Sequence, residues 1–394
     1  MFPKLRFKEF DENWKEVTLK NCITSIDSGW SPQCESYPAN SSEWGVLKTT
    51  SVDWSGFNSS FNKKLPLELT PRKEIEVKPL DILVTRAGPT ERVGVVSVVP
   101  HSVRSKLMIS DKLIRLKSNE ENNPLFLGIS LSSVKCQNQL QSKTSGLAKS
   151  QTNISQKILG EVLLKLPSKE EQTKIASFLS AVDEKISQLT KKHELLSQYK
   201  QGMMQKLFSQ QIRFKADDGS EFGEWEGKEL HQIFQIKAGG DIEKSSVSEV
   251  RTSEFSYPIF ANSDKNKGFY GWANKFKYKE AVTVTGRGNL GIAVARNEPF
   301  YPIVRLLVLL PLVKQNLKFF EEQINLLDIV SESTGVPQLT APQLSKYKVN
   351  VPSLEEQTKI ANFLSSIDQK IEVVAQQIEQ AKQWKKGLLQ QMFV

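Results

Sequence analysis

Residues 167–186 read PSKEEQTKIASFLSAVDEKI, and residues 352–371 read PSLEEQTKIANFLSSIDQKI. The correspondence continues more loosely downstream and closes at Phe208 and Phe393. A repeat of this length indicates two copies of one structural unit. The chain is therefore expected to hold two similar parts apart or to bring them together.

Each copy begins with a helix start signal and continues as a coiled-coil helix. A serine precedes a glutamate by three residues, as Ser168 precedes Glu171, which is the pattern of a capping box. Apolar residues then recur at alternating steps of four and three over residues 175–207 and 360–392. Such a helix is roughly 50 Å long at ~1.5 Å per residue, and its apolar stripe needs a partner. The other copy is the expected partner; two amphipathic helices in one globular core are the alternative.

Two lysines fall in the apolar seam, Lys200 in the first copy and Lys385 in the second. One interpretation is that their long stems pack in the seam while the ammonium groups reach solvent. The other is that they fix the register of the helix pair, as polar seam residues do in coiled coils. The first interpretation is the preferred one.

The polar positions of the repeat also match, although residues that face solvent need not be alike. The segment Glu-Glu-Gln-Thr-Lys occurs at 170–174 and again at 355–359. A shared outer face predicts that both copies dock a common partner. The predicted docking residues are Glu170, Glu171, Gln172, Lys174, Glu355, Glu356, Gln357 and Lys359.

The repeat divides the chain into two blocks and two helical spacers. Both blocks begin alike, with Arg-Phe-Lys at 6–8 and 213–215 and a tryptophan further on, but they diverge inside. Short β-branched runs separated by turn signals predict mixed α/β domains. The predicted strands are 81–86, 93–99, 112–117, 281–285, 292–295 and 303–310. The segments are block one (1–165), the first spacer (166–210), block two (211–350) and the second spacer (351–394).

The composition favours an acidic partner. The 394 residues include 53 Lys and Arg against 44 Asp and Glu, a net charge of +9, and basic proteins favour nucleic acid. The cysteines Cys22, Cys34 and Cys136 show neither metal-like nor paired spacing. Without a leader or an apolar run long enough to span a bilayer, the chain is expected to be a soluble cytoplasmic protein.

No catalytic or metal-binding motif is found. Residues 286–291 read GRGNLG, which fits the dinucleotide pattern G-x-G-x-x-G. That pattern needs a helix to follow, whose N-terminus receives the phosphates, whereas residues 292–295 predict a strand. The segment is therefore expected to be a turn between strands. The three histidines lie far apart, with no carboxylate or cysteine pattern around them.

Block two contains a segment typical of nucleic-acid binding. Residues 262–279 interleave lysines, asparagines and aromatic residues. These side chains can neutralise phosphates, reach base edges and stack on bases. A hairpin with Phe276 and Tyr278 facing inward and the lysines outward is the alternative, and both interpretations can hold together.

Two variable blocks, each followed by a helix that opens (Leu/Val)-Pro-Ser-x-Glu-Glu-Gln, resemble the specificity subunit of type I restriction–modification systems. The resemblance covers essentially the whole chain and is most specific at 166–175 and 351–360. The segment DILVTRAG at 81–88 and the dipeptides at 145–146 and 334–335 are also similar to that family.

The resemblance implies an α/β fold with two target-recognition domains, each reading half of a split DNA sequence. Two long helices would separate the domains as an antiparallel coiled coil, with a pseudo-twofold internal repeat. It also implies a chain that is not an enzyme: two modification subunits methylate adenine N6, and restriction subunits are possible partners. S-adenosylmethionine, ATP and Mg²⁺ are expected on those partners, and no cofactor on this chain. A self-contained DNA methyltransferase and a coiled-coil scaffold without a DNA role are the rival hypotheses.

Loop position and side-chain donors select the residues predicted to contact DNA. For Arg86 and Arg287 the alternative is a structural arginine that bonds backbone carbonyls of its turn. The predicted contacts are Lys48, Thr49, Thr50, Arg86, Lys143 and Lys149 in block one, and Asn262, Lys265, Lys267, Tyr270, Trp272, Arg287 and Asn289 in block two.

Overall fold

The computed structural model describes residues 3–144, 152–329 and 337–393, and the chain forms two compact units. Unit 1 comprises Met1–Gln188 and Gln377–Val394, and unit 2 comprises Leu189–Gln376. Each unit combines one block with the start of the long helix that follows it and the end of the other long helix.

Block one is mixed α/β, as predicted. The strands predicted at 81–86 and 112–117 are confirmed as the seventh and eleventh strands of the chain. The strand predicted at 93–99 is the ninth, but it is shorter and begins at Val96, after a turn at 93–94. The strands are β1 (Lys15–Thr18), β2 (Ile23–Ser28), β3 (Gly45–Leu47), β4 (Val52–Asp53), β5 (Gly56–Phe57), β6 (Asn62–Lys64), β7 (Ile82–Thr85), β8 (Ala87–Gly88), β9 (Val96–Val98), β10 (Leu107–Met108), β11 (Leu113–Ser118), β12 (Thr152–Asn153) and β13 (Leu163–Leu166). The helices are α1 (Pro124–Leu131), α2 (Val134–Ser142), α3 (Gln156–Gly160) and the long α4 (Lys169–Phe208).

A four-stranded antiparallel sheet in the order β2-β11-β7-β9 forms the centre of block one. Successive side chains of a strand point to opposite faces, and here both faces are covered. Ile82 and Val84 of β7 share a core with Phe126 of α1. Leu83 packs instead with Leu107 of the smaller sheet β10-β3-β6. Burial on both faces explains why β7 reads as a continuous apolar run that ends in a threonine.

Block two builds the same kind of fold in unit 2 with different loops. The strands are β14 (Glu226–Glu229), β15 (Phe234–Ala238), β16 (Val247–Ser248), β17 (Tyr257–Phe260), β18 (Phe269–Ala273), β19 (Ala281–Thr285), β20 (Ala293–Arg296), β21 (Tyr301–Pro302), β22 (Leu306–Pro311) and β23 (Lys348–Val351). The helices are α5 (Leu230–Ile233), α6 (Leu317–Ile324), α7 (Ala341–Ser345) and the long α8 (Leu354–Met392).

The central sheet of block two is antiparallel in the order β15-β22-β19-β20, and a second sheet has the order β16-β18-β17-β21. The strands predicted at 281–285 and 292–295 are confirmed as β19 and β20. The strand predicted at 303–310 begins later, at Leu306. Its predicted first residues form a turn, in which Arg305 adopts a left-handed conformation with φ 71°.

The two copies of the repeat pair with each other in each unit. In unit 1, Leu179 near the start of α4 shares a core with Leu388 near the end of α8. In unit 2, Leu364 near the start of α8 shares a core with Leu207 near the end of α4. Because the start of each helix meets the end of the other, the helices run antiparallel. Both cores also contain side chains of the blocks, so the globular-core alternative is correct for these parts of the helices as well.

The two seam lysines are paired across the helices and stay partly exposed, with 18% of the Lys200 side chain and 28% of the Lys385 side chain accessible. Lys200 Nζ lies 2.7 Å from Asp368 Oδ1 and 2.9 Å from Glu322 Oε1. Lys385 Nζ lies 2.5 Å from Asp183 Oδ1. A carboxylate on the facing helix holds each ammonium group in the seam, which agrees with the alternative of a register-fixing pair.

Candidate nucleic-acid interface

Two loops of block two, residues 261–268 and 286–291, are joined by one asparagine. The Asn262 Oδ1 accepts hydrogen bonds from the backbone N–H of Gly286 at 2.6 Å and of Arg287 at 3.1 Å. Its Nδ2 donates to the Arg287 carbonyl at 2.7 Å. The amide of Asn262 thus connects the two loops and brings the predicted contacts Lys265, Lys267 and Arg287 close together. DNA contact by the half-buried Asn262 itself stays a prediction.

The GRGNLG segment is confirmed as a turn between strands. It connects β19 to β20, which pair antiparallel, so no helix follows to receive a phosphate. Its first glycine is required by packing, since a Cβ on Gly286 would lie 2.7 Å from the Arg305 carbonyl oxygen. Thr285 closes the turn: its hydroxyl donates to the Asn289 carbonyl at 2.5 Å and accepts from the Ile292 N–H at 3.0 Å.

The remaining predicted contacts of block two differ in side-chain exposure and in the partners that they already have. Lys265, Lys267 and Tyr270 are exposed, with Tyr270 on strand β18. The Trp272 ring is half-buried and has the Arg251 guanidinium 4.9 Å from its centroid, which leaves less of it for base stacking. Asn289 is exposed, and its Nδ2 donates to Asp264 at 2.5 Å. DNA contact by these five residues and by the half-buried Arg287 stays a prediction.

Sequence reasoning missed Arg296, the residue that holds the turn at Lys265–Gly268. Its side chain is 8% exposed and lies 3.5 Å from the centroid of the Phe260 ring. Its Nη2 donates to the Lys267 carbonyl at 2.5 Å, and its Nε donates to Thr283 Oγ1 at 3.0 Å. Burial lowers the pKa of Arg296 to about 10. In the sequence it is only the arginine that ends a β-branched run, which gives no sign of this role.

In block one the predicted contacts Lys48, Thr49 and Thr50 form a turn beside β4. Thr50 is exposed, while Lys48 and Thr49 are half-buried. Arg92, which sequence reasoning also missed, fastens this turn. Its Nη2 donates to the carbonyls of Val52 at 2.8 Å and Thr49 at 3.3 Å. Its Nη1 donates to Asp53 Oδ2 at 2.6 Å.

The other block-one predictions are less closely connected to that turn. Arg86 is half-buried, and its Nε has no hydrogen-bond partner in the described part of the chain. Lys143 is exposed just beyond the end of α2. Lys149 and the dipeptides at 145–146 and 334–335 lie outside the described residues. DNA contact by Lys48, Thr49, Thr50, Arg86 and Lys143 stays a prediction.

The structure corrects the predicted docking set. Glu171 is 1% exposed, and Arg6 binds it bidentately with Nε–Oε1 and Nη2–Oε2 distances of 2.7 Å. Trp14 Nε1 donates to the same carboxylate at 3.4 Å. Gln172, also buried, accepts from the Asn123 N–H at 3.0 Å. The predictions that Glu171 and Gln172 dock a partner are therefore wrong, because both are engaged inside unit 1.

The second copy is built the same way in unit 2. Glu356 is 0% exposed and accepts from Arg213 Nε at 3.1 Å, Arg213 Nη2 at 2.8 Å and Trp225 Nε1 at 3.0 Å. Gln357 is buried and accepts from the Asn316 N–H at 3.0 Å. Glu356 and Gln357 are thus corrected in the same sense. We call Arg6, Trp14 and Glu171 the first clamp, and Arg213, Trp225 and Glu356 the second clamp.

Four members of the predicted docking set remain near the surface. Lys174 pairs with Glu9, and Lys359 lies 2.6 Å from Asp217 Oδ1, so both lysines contact their own block. Glu170 and Glu355 are exposed at the starts of α4 and α8. The near-identity of the repeat therefore reflects the two clamps more than a free outer face.

Neither a metal centre nor a membrane span is found in the described residues. No cluster of three or more His, Cys, Asp or Glu side chains in 3–144, 152–329 and 337–393 is arranged to hold a metal ion. Within the same residues no helix combines the length and apolar character that crossing a membrane requires.

Comparison with known proteins gives concordant results. A family model described as "Type I restriction modification DNA specificity domain" matches residues 12–197 and 223–383. The chain is 40% identical over 171 residues to the type I restriction enzyme EcoEI specificity subunit of Escherichia coli, which covers 43% of this chain and 29% of that protein. It is 30% identical over 219 residues to the putative type I specificity subunit S.MpnORF507P of Mycoplasma pneumoniae, which covers 55% and 58%. The chain thus spans less than two thirds of either relative.

A solved structure resembles the chain over nearly its whole length. The crystal structure of a type I restriction–modification S subunit from M. genitalium superposes with a TM-score of 0.67. It covers 100% of this chain and 99% of that one at 19% sequence identity, so the likeness concerns the fold. The two blocks with two long helices that the sequence predicts are the architecture of that fold.

Proposed function

Because the chain belongs to the family of type I restriction–modification DNA specificity proteins, we propose that it reads a two-part DNA sequence, one part with each unit. The observation that carries the proposal is that the two units share one scaffold but differ in their loops. Both units have the same clamp at the start of a long helix. Their candidate reading turns, at Thr49–Ser51 and Lys265–Gly268, differ in sequence and in how they are held. Two different half-sites require this combination.

The proposed division of labour leaves catalysis to partners. Methylation of adenine N6 needs a base turned out of the duplex into a pocket that also binds the methyl donor. We assign that pocket to two modification subunits, together with S-adenosylmethionine, and assign ATP and Mg²⁺ to restriction subunits where these are present. The antiparallel helix pair that connects the units would then set the gap between the two half-sites.

Binding selection from a randomised duplex library tests this function. The chain, assembled with its modification subunits, is expected to enrich a two-part word with a constant gap between its parts. Non-specific binding alone would weaken steeply with salt and select no word. Failure to enrich any word would favour the scaffold hypothesis. Transfer of labelled methyl groups to DNA by the purified chain alone would favour the self-contained methyltransferase.

We further propose that the modification subunits dock on an exposed face that the repeat presents twice. Tyr199 on α4 is 51% exposed, and Trp384, its equivalent on α8, is 54% exposed. Three residues after each aromatic residue the helix contains a glycine, Gly202 or Gly387, and a Cβ at either would meet open space. Glycine inside a helix costs about 1 kcal/mol relative to alanine, and packing within the chain does not require it. Close approach of a partner at both places explains the pair.

Replacing Trp384 by alanine is expected to remove one of two docked modification subunits. Large aromatic anchors at interface centres contribute about 2 kcal/mol or more, roughly thirtyfold in affinity. Sedimentation of the assembled complex should show the ratio of modification subunits to this chain fall from two to one. Tyr199→Ala should remove the other subunit, and the double variant should bind neither.

A substitution at the glycine separates docking from the stability of the helix. Gly387→Ala is expected to stabilise the helix by about 1 kcal/mol while it weakens docking, because the added methyl group occupies the space left for the partner. Full binding of two subunits by the Tyr199→Ala/Trp384→Ala variant would place docking elsewhere.

A further inference from the structure

In unit 2 the turn that carries two predicted DNA contacts is held in a strained form by a buried arginine. Asn266 and Lys267 have φ values of 47° and 51°, the left-handed region that side chains other than glycine rarely adopt. Such conformations persist only where the surroundings enforce them, and they cluster at functional sites. The hydrogen bond from Arg296 Nη2 to the Lys267 carbonyl at 2.5 Å supplies that constraint.

The environment of Arg296 is unusual for a buried charge. Within the described residues it forms no ion pair; its donors reach a hydroxyl and a carbonyl, and its plane lies on the Phe260 ring. The carboxylate of Glu321 is nearby but accepts from the Ala295 N–H at 2.8 Å. A buried guanidinium without a carboxylate is costly, and an apolar side chain would fill the space at lower cost. Core stability therefore does not account for an arginine here.

Unit 1 also has an arginine that donates to backbone carbonyls at a reading turn, but this arginine is paired with a carboxylate and residues 48–53 include no left-handed conformation. Arg92 lies in the short turn Thr90–Arg92 after β8, and it donates to the carbonyls of Val52 and Thr49. Asp53, on the same segment, completes the attachment. Like Arg296, Arg92 donates hydrogen bonds to backbone carbonyl groups at a turn that carries predicted DNA contacts. The side chains of those predicted contacts are not its hydrogen-bond partners.

We infer that Arg92 and Arg296 are positioning residues for DNA specificity, each of which sets the orientation of its own reading turn without contacting DNA. The inference rests on the proposed function and deepens it. It assigns one arginine to each half-site. Loss of either arginine should therefore relax recognition of one half of the DNA word and leave the other half intact.

The test compares Arg296→Met and Arg92→Met in the complex with modification subunits. Methionine keeps an apolar stem and removes every donor. Selection from the randomised library should show sequence preference lost at one half-site for Arg296→Met and at the other for Arg92→Met. Affinity for the natural word should fall about 10- to 100-fold. The dependence of binding on salt should stay unchanged, because neither arginine releases counterions from DNA.

A rescue variant separates positioning from general damage. Arg296→Lys is expected to lose preference at its half-site. Glycine adopts the left-handed conformation without strain, so the double variant Arg296→Lys/Asn266→Gly should regain part of that preference. Thermal unfolding recorded in parallel shows whether each variant is folded. If Arg296→Met does not fold, Arg296→Lys and the more exposed Arg92→Met carry the test.

Three results would overturn the inference. These are equal loss at both half-sites, unchanged preference in both variants, and a salt dependence that falls by about one unit for each arginine removed, which marks a direct phosphate contact. A natural complex that selects no word at all would instead refute the proposed function, so the two failures are distinguishable.

Discussion

Replacing Glu171 by alanine is expected to lower the free energy of unfolding of unit 1 by about 3 kcal/mol. Removal of one partner from a buried ion pair leaves the other charge without compensation, which costs about 3–5 kcal/mol. Glu171 is 1% exposed and receives two hydrogen bonds from Arg6 and one from Trp14. The lower figure applies because the Arg6 side chain is 11% exposed and can recover some hydration.

The neighbouring glutamate is a matched control. Glu170 sits one residue earlier in the same first helical turn, but it is exposed. Glu170→Ala removes the same charge from the same end of the helix dipole and should change stability by about 0.5 kcal/mol or less. Urea denaturation followed by tryptophan fluorescence measures both variants, and Trp14 reports directly on the first clamp. Equal losses for the two variants would show that the clamp does not stabilise the unit.

The second clamp offers an independent replicate in unit 2. Glu356 is 0% exposed and is bound by Arg213 and Trp225, while Glu355 beside it is exposed. The pair Glu356→Ala and Glu355→Ala should therefore reproduce the contrast, with Trp225 as the reporter. Because each clamp lies within one compact unit, each substitution should shift the unfolding transition of its own unit first.

The elements that could be predicted from the sequence are those specified by local pattern. The serine caps, the steps of four and three, and the β-branched runs predict α4, α8 and the central strands correctly. The glutamate half of each capping box does not form, because Arg6 and Arg213 bind those carboxylates. The turn at 286–291 was also correctly identified, because the strand that follows it is itself a local signal. In each of these cases the deciding residues are neighbours along the chain.

The errors concern residues whose partners are distant in sequence. Glu171 looked like a solvent-facing residue because the arginine that buries it lies 165 positions away. A signal was present nevertheless: Arg-Phe-Lys and a tryptophan recur at the start of each block, as the glutamate does at the start of each helix. When two separate segments recur together in both copies of a repeat, their joint recurrence indicates that they contact each other. Arg92 and Arg296 gave no such signal, since the blocks diverge where these residues lie.

The carboxylate partner of Lys200 could not be predicted from the sequence for a different physical reason. A lysine in an apolar seam is compatible with either solvent or a carboxylate at the end of its stem. The choice depends on the carboxylate of the facing helix, which is Asp368 for Lys200 and Asp183 for Lys385. Each aspartate is far away in sequence from its lysine, and Glu322, which lies on α6, adds a second partner to Lys200 that coiled-coil periodicity cannot indicate.

Glu322→Ile is expected to destabilise unit 2 by about 3 kcal/mol, and Lys318→Leu added to it should restore stability to that of the natural chain or above. Glu322 is buried between Lys200 at 2.9 Å and Lys318 at 2.7 Å. Its removal alone leaves Lys200 with Asp368, and Lys318 with Glu321 and Asp368. Breaking a buried ion pair costs about 3–5 kcal/mol, and the remaining carboxylates favour the lower figure, whereas replacing a whole buried pair with apolar residues is often neutral or stabilising.

Unit 1 shows which apolar residues fit. Asn123 caps α1 and Asn316 caps α6, so the positions of Lys318 and Glu322 correspond to Leu125 and Ile129. With those residues in place, unit 1 keeps a simple seam pair, Lys385 with Asp183. The double variant of unit 2 would keep the equivalent pair, Lys200 with Asp368.

A double-mutant cycle of urea denaturations measures the coupling between Lys318 and Glu322. A coupling of roughly 2–3 kcal/mol is expected, at the upper end of values for residues in direct contact. If the losses of stability from the two single substitutions simply add, Lys318 and Glu322 stabilise unit 2 independently and the apolar pair does not replace them. If the double variant is as stable as the natural chain, the charges on α6 are dispensable for folding. The apolar solution of unit 1 then suffices, and what the two units must share is the single lysine–carboxylate pair in the seam.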